Sequence, residues 1–114
     1  DNIIQIASMT KLVTSIAALQ LVERGLLALD ESADVHIAEL ANLRVLTGFD
    51  VEGKGQFEDA RRAPTLRELI THTAGFVYEI WNKNEVRAVS SGLAESLLGG
   101  PLESTPSLLR YIMV

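Results

Sequence analysis

No cysteine occurs among the 114 residues. A disulfide framework, a thiol nucleophile and a thiolate metal site are therefore all excluded, and the redox compartment stays open. Positive charge is scarce as well: ten Lys and Arg stand against fifteen Asp and Glu, a formal net charge of −5. With a pI near 4.9, this balance argues against nucleic acid or an anionic membrane as the main partner. No apolar run approaches the roughly 18–20 residues of a membrane span, and no signal-peptide pattern is visible. The two histidines, His36 and His72, lie far apart and belong to no H-x-x-x-H or H-E-x-x-H pattern, so they read as hydrogen-bonding structural residues rather than metal ligands. The glycines fit neither G-x-G-x-x-G nor G-x-x-x-x-G-K-[ST], which removes nucleotide binding. Asp50, Glu52, Glu58 and Asp59 lack the spacing of a calcium loop and read as a solvated acidic hairpin.

What is present is apolar. Hydrophobic residues make up 47% of the chain and charged residues 22%, a globular composition. The mean hydropathy of +0.20 is high for so short a chain. A domain of this size leaves much of its surface exposed, so the surplus implies that something else covers it. The sequence starts at Asp1 without an initiator methionine and stops in the apolar run Tyr111-Ile112-Met113-Val114. We expect residues 1–114 to be a single partial domain cut from a larger protein. The competing expectation is a complete small helical domain.

Asn2 to Ile6 is a short β-branched run expected to be extended. Helical periodicity begins at Ser8, a good N-cap residue, and continues to about Arg24, where Gly25 is a natural stop. Met9, Leu12, Val13, Ile16, Ala17, Ala18, Leu19, Leu21 and Val22 cover most of the circumference, the pattern of a buried helix. Ser8, Lys11 and Ser15 interrupt it as one polar stripe. Residues three apart on a helix are neighbours, so the S-x-x-K spacing brings the Ser8 hydroxyl to the Lys11 amine. A serine needs an adjacent base to become a nucleophile, and burial disfavours the charged form of lysine. The bland alternative is that Ser8 caps the helix while Lys11 reaches out to water.

Further along, Asp30 or Ser32 is expected to cap a short helical piece from Asp34 to Leu40. Leu43 to Asp50 and Gln56 to Glu58 flank a glycine-bearing turn, which suggests a β-hairpin or an excursion loop. Thr65 and Glu68 have the spacing of a capping box. They open a helix whose buried face is Leu66, Leu69 and Ile70 and which is expected to end at His72-Thr73-Ala74-Gly75, where Gly75 is a natural stop. Phe76, Tyr78, Ile80 and Trp81 form an aromatic cluster that either lines a pocket or covers the helices. A helix is expected from Lys83 to Leu98, a break at Gly99-Gly100-Pro101, and another helix from Thr105-Pro106.

Two blocks then carry a resemblance. Gln5-Ile6-Ala7-Ser8-Met9-Thr10-Lys11, with Ala18-Leu19-Gln20-Leu21-Val22-Glu23-Arg24-Gly25 and Leu29-Asp30, resembles the nucleophile region of the serine β-lactamase and penicillin-binding-protein superfamily. Leu66-Arg67-Glu68-Leu69-Ile70-Thr71-His72-Thr73-Ala74-Gly75-Phe76 is similar to its L-R-x-L-L-T-H-T-S-G segment. The similarity covers roughly residues 1–85. Within the superfamily it is greatest to the family VIII carboxylesterases and the lovastatin-type acyltransferases, whose insertion resembles Val45 to Asp50 through Gly53-Lys54.

The resemblance implies an α+β fold: a mostly helical segment of a β-lactamase/transpeptidase-like α/β sandwich, with at most a short β-hairpin in this chain. It implies that Ser8 is the acylated nucleophile and Lys11 its general base or proton shuttle. The backbone N–H of Ser8 would supply half of the oxyanion hole. His72 to Gly75 would form a structural turn near the site. No metal or organic cofactor is implied; the substrate would be a small ester or a β-lactam. The expected function is that of a serine hydrolase, carboxylesterase-like on short-chain esters, with β-lactamase, peptidase and acyltransferase activities as alternatives within the class. A non-catalytic helical interaction module, or an inactive fragment, is the alternative outside it. The family's catalytic tyrosine sits in a Y-x-N-like motif. Tyr111 is followed by Ile112-Met113, so that role is not carried over, and the K-T-G or W-x-G strand is absent. The remainder of the same protein is expected to complete the fold, and these residues alone to have little or no esterase activity.

Overall fold

The structure, a computed structural model, describes residues 2–77 and 82–92. Its longest element is α1, Thr10–Glu23, entered through a 3₁₀ turn at Ala7–Met9. Two further 3₁₀ turns, Ala33–Val35 and Ala38–Asn42, lead to an antiparallel hairpin of β1, Arg44–Phe49, and β2, Gly55–Asp59. Then come α2, Leu66–Ile70, and α3, Lys83–Ser90. None of the helices among the described residues is long and apolar enough to cross a membrane.

The hairpin is the form taken by the glycine-bearing stretch. Arg44 faces Asp59, Val45 faces Glu58 and Leu46 faces Phe57. Thr47 is then bulged out before Gly48 resumes opposite Gln56. Its hydroxyl donates to the Gln56 carbonyl at 3.1 Å. At the tip the Asp50 carboxylate accepts from the Glu52 and Lys54 amides at 3.0 and 2.8 Å, an Asx-type turn. Leu46, only 1% exposed, packs with Ala88 of α3 and with Phe49, Phe57 and Val89. The guanidinium of Arg87 lies 4.4 Å from the Phe49 ring centroid and that of Arg44 4.7 Å from Phe57. A second cluster of Ala33, Leu40 and Leu43 gathers Ile37, Ala60, Leu69 and Phe76. Phe76 therefore serves as cover for the 3₁₀ turns, while Tyr78, Ile80 and Trp81 lie outside the described residues, as do the segments beyond Gly92.

Three expectations are corrected. Residues 34–40 form two 3₁₀ turns rather than one helical piece, and neither Asp30 nor Ser32 caps them: the Ser32 side chain makes no cap bond, and Asp30 is drawn away to Arg67. Ser8 is not the cap of α1, because it falls inside the 3₁₀ turn instead of before it, and no side-chain cap bond is made there. The largest difference is in α1 itself. Its apolar circumference predicts burial, yet none of its residues is buried: Leu12 is 66% exposed, Val13 61% and Ile16 49%. Full burial of a side chain of this kind is worth about 1.5–3 kcal/mol, and α1 obtains little of it from the described residues. The sequence pattern is that of a covered helix, and the described residues do not cover it.

The end of α1 is set locally. Gly25 adopts φ +70°, its amide donates to Val22 at 2.9 Å and the Leu26 amide to Leu21 at 2.9 Å, the paired bonds of a Schellman motif. A Cβ on Gly25 meets nothing within 4 Å, so a substitution there is penalised by backbone conformation alone. Gly25→Ala is expected to destabilise by about 1–2 kcal/mol. A lowered thermal midpoint, with faster amide exchange confined to the last turn of α1, is the outcome to look for.

Candidate active site

The 3₁₀ turn at the mouth of α1 places Ser8 one turn before Lys11, and Lys11 Nζ donates to Ser8 Oγ at 3.1 Å. Ser8 is exposed and Lys11 half-buried. The juxtaposition expected from S-x-x-K is thus made. The 3₁₀ turn also takes up amides at the start of α1: the Met9 amide donates to the Ile6 carbonyl at 3.1 Å and the Thr10 amide to that of Ala7. Ala7, immediately before Ser8, holds φ +44°, in the left-handed region that costs an L-residue energy.

The polar stripe forms one wall of a cleft of about 500 Å³. Ala7, Thr10, Lys11, Thr14, Ser15 and Ala18 contribute from the α1 side, and Leu66, Leu69, Ile70 and His72 from α2 and its end. Ser8 is joined to the cleft through its neighbour Ala7 and its partner Lys11. Thr14 is occupied locally, its hydroxyl donating to the Thr10 carbonyl at 3.1 Å.

What fixes α2 opposite α1 is a strap between the chain leaving α1 and the chain entering α2. Arg67 clasps Asp30 with two bonds, Nε to Oδ1 at 2.6 Å and Nη2 to Oδ2 at 2.8 Å. The Arg67 amide donates to Leu29 O and the Ala33 amide to Pro64 O, both at 2.8 Å, and Ser32 bridges to Thr65. Hydrogen bonding from Arg67 lowers the Asp30 carboxyl below its ordinary range, and the same contact raises Arg67. Sequence reasoning missed this pairing, although Asp30 and Arg67 are opposite charges, one in each of the two family-like blocks.

The start of α2 is the expected capping box. Thr65 Oγ1 accepts from the Glu68 amide at 3.2 Å, and Glu68 Oε2 from the Thr65 amide at 2.9 Å. Arg62 adds a bidentate contact to the same carboxylate, 2.8 Å to Oε2 and 2.5 Å to Oε1. Its end falls at the head of the expected His72-Thr73-Ala74-Gly75 stretch. Gly75 is not the stop; His72 is, at φ +57°, with its amide donating to Leu69 at 3.3 Å and the Thr73 amide to Glu68 at 2.9 Å. A histidine thus fills the left-handed position that Gly25 fills in α1. Histidine is several-fold enriched in that conformation among non-glycine residues, the only signal in the sequence that could have marked it.

His36 Nε2 lies 2.9 Å from Glu31 Oε2, in the structural role expected of it. Among the described residues no group of three or more His, Asp or Glu is placed to hold a metal ion. Tyr111 lies outside the described residues.

The sequence matches the Beta-lactamase family model over residues 1–110, and the chain belongs to that family. It is 46% identical over 78 residues to the monacolin J acid methylbutanoyltransferase of Aspergillus terreus and 45% identical over 78 residues to the lovastatin esterase of Penicillium rubens. Each match takes in 68% of this chain, but only 19% and 20% of the relatives, so the chain spans about a fifth of their length. Unliganded simvastatin synthase (LovD) of Aspergillus terreus superposes with a TM-score of 0.73 at 41% identity, over 77% of this chain and 22% of that one. The LovD6 mutant of the same synthase gives 0.75 at 39% identity, over 90% and 25%. The helices and two-stranded antiparallel sheet are thus a segment of the β-lactamase-like fold, as the sequence implied.

The capping box carries a pH dependence. Arg62 first, and then the Thr65 amide, lower the Glu68 carboxyl from its ordinary 4.5 to about 2. A carboxyl depressed in the folded state stabilises it above the unfolded value and ceases to as pH falls through the folded one. The contribution of Glu68 is therefore expected to be complete above about pH 4.5 and to vanish on acidification towards about 2. Glu68→Gln should flatten thermal midpoint against pH in that window; an unchanged acid limb would show that the carboxylate is not responsible.

Proposed function

We propose that residues 1–114 are the nucleophile-bearing part, a single partial domain, of a serine acyl hydrolase or acyltransferase working through an acyl-Ser8 intermediate. The observation that carries this is the 3.1 Å contact between Lys11 Nζ and Ser8 Oγ at the start of α1. With the amine neutral, the same contact runs in reverse: Oγ–H donates to Nζ. Lys11 takes the proton as Oγ attacks the ester carbonyl carbon. The developing oxyanion is met by the Ser8 backbone N–H, one of the two donors such a site needs. Collapse of the tetrahedral adduct breaks the ester C–O bond. Lys11 returns its proton to the departing alcohol, and the acyl group stays on Oγ. Water, or a second alcohol, attacks that acyl carbon with Lys11 again accepting the proton, and Ser8 is restored.

The likeness to a methylbutanoyltransferase and a lovastatin esterase supports ester substrates, carboxylesterase-like turnover of short-chain esters being the finer part of the proposal and β-lactams secondary. No metal or organic cofactor enters. The remainder of the same protein supplies the other oxyanion donor and covers α1. A second reading, a non-catalytic interaction module, draws on the exposed apolar circumference of α1. It requires that Ser8 and Lys11 can be replaced without consequence.

The full-length protein is expected to turn over a short-chain nitrophenyl ester. Ser8→Ala should lower kcat by at least about 10³-fold and Lys11→Ala by about 10²–10⁴-fold. A phosphonate should add covalently at Ser8, read by peptide mass. Undiminished turnover in Ser8→Ala would leave the interaction module standing. Residues 1–114 by themselves are expected to be inactive, and Ser8-dependent hydrolysis by that piece would refute the division of the site.

A further inference from the structure

We propose that the cleft between α1 and α2 receives the acyl group of the substrate, with His72 as a specificity-determining residue at its rim. This rests on the acyl-Ser8 reading. Among the described residues, two that are not glycine hold positive φ, Ala7 at +44° and His72 at +57°. Both line this one cleft, from opposite walls. Strained backbone persists only where the surroundings enforce it, and it concentrates at ligand sites.

Comparison of the two helix ends sharpens the point for His72. Both α1 and α2 finish with the same pair of backbone bonds. At α1 the left-handed position is Gly25, with open space around it. Nothing in that geometry requires a side chain, and glycine occupies it without strain. At α2 the same position carries an imidazole despite the strain. The reason for it lies beyond the helix end, and what lies there is the cleft.

The cleft also has the character of an acyl site. At about 500 Å³ it is within the range of small-molecule pockets. Leu66, Leu69, Ile70 and Ala18 give it an apolar lining, against the polar edge of Thr10, Lys11 and Ser15. Lys11 belongs to both places: its side chain lines the cleft while its amine holds Ser8 Oγ. An acyl group on Oγ therefore starts beside the cleft wall.

The test uses the full-length protein and nitrophenyl esters of acetate, butyrate and octanoate. His72→Gly keeps the left-handed backbone and removes the imidazole, so its thermal midpoint should equal or exceed that of the parent. Its octanoate-to-acetate ratio of kcat/KM should nevertheless shift at least about fivefold, mainly through KM. Ala18→Phe, which fills the far part of the cleft from α1, should lower the same ratio about tenfold. Ser8-dependent turnover with unchanged acyl preference in both variants would overturn this inference and leave the proposed function intact. So would an Ala18→Phe protein that loses stability and acts equally less well on all three esters, since the cleft would then be filled by the protein's own residues. Absence of Ser8-dependent turnover in the parent would overturn both.

Discussion

The two-pronged clasp of Arg67 on Asp30 joins residues 37 positions apart, and the relation between α1 and α2 depends on it and on the backbone bonds beside it. Exposed ion pairs contribute little net stability, so the clasp is better regarded as a register pin. Its planar fork accepts one orientation of the carboxylate, and the Leu29 and Pro64 carbonyls fix the backbones on either side. With the chain after α1 laid against the chain before α2, the wall bearing Leu66, Leu69 and Ile70 stands opposite the polar stripe of α1. Remove the strap, and little among the described residues holds these two helices at a defined distance, since α1 buries nothing.

That lack of burial gives α1 two properties at once. It is apolar nearly all round, as a helix in the centre of a domain is, and it carries at its mouth the serine and lysine on which the proposed chemistry rests. A general base must offer a neutral amine, and exclusion of water favours the neutral form of any lysine. On the proposed reading, the segment that covers the apolar circumference of α1 is also the segment that closes the site around Ser8. Completion of the core and completion of the active site would then be one event.

Several features decided within a few residues were legible in the sequence. The Ser8–Lys11 contact follows from helical spacing. Gly25 ends α1, Thr65 and Glu68 form their reciprocal box, and the glycine-bearing stretch turns into a hairpin. Each is governed by backbone conformation and the nearest hydrogen-bonding groups. Features decided at long range were not legible. The Asp30–Arg67 clasp needs the fold before its partners are neighbours, and the sequence by itself offers Asp30, beside Ser32, only as a cap that neither makes. The burial that the apolar circumference of α1 predicts depends on neighbours that the helix's own pattern does not name, and the described residues do not provide it. The left-handed His72 went unseen because Gly75, three residues on, satisfies the same rule more cheaply.

That last substitution of one rule for another bears on how the site is built. Had α2 run on to Gly75, its apolar face would continue past Ile70 and the Thr-His-Thr stretch would be helical. By stopping at His72 the chain turns one side chain into the cleft and sends Ala74 into a buried position, with Phe76 beyond it packed on the Ala33–Leu40–Leu43 cluster. The strained residue therefore sits between the apolar core and the Lys11-bearing wall, anchored on the core side by Phe76 and on the helix side by the capping bonds to Glu68 and Leu69. A backbone held at both ends can carry an unfavourable φ without relaxing. The same logic applies at Ala7, held between the first turn of α1 and the preceding chain by the Met9 to Ile6 bond at 3.1 Å. The two strained positions are thus the points at which the chain enters and leaves the cleft, which is where a small change in backbone direction has the largest effect on what the cleft admits.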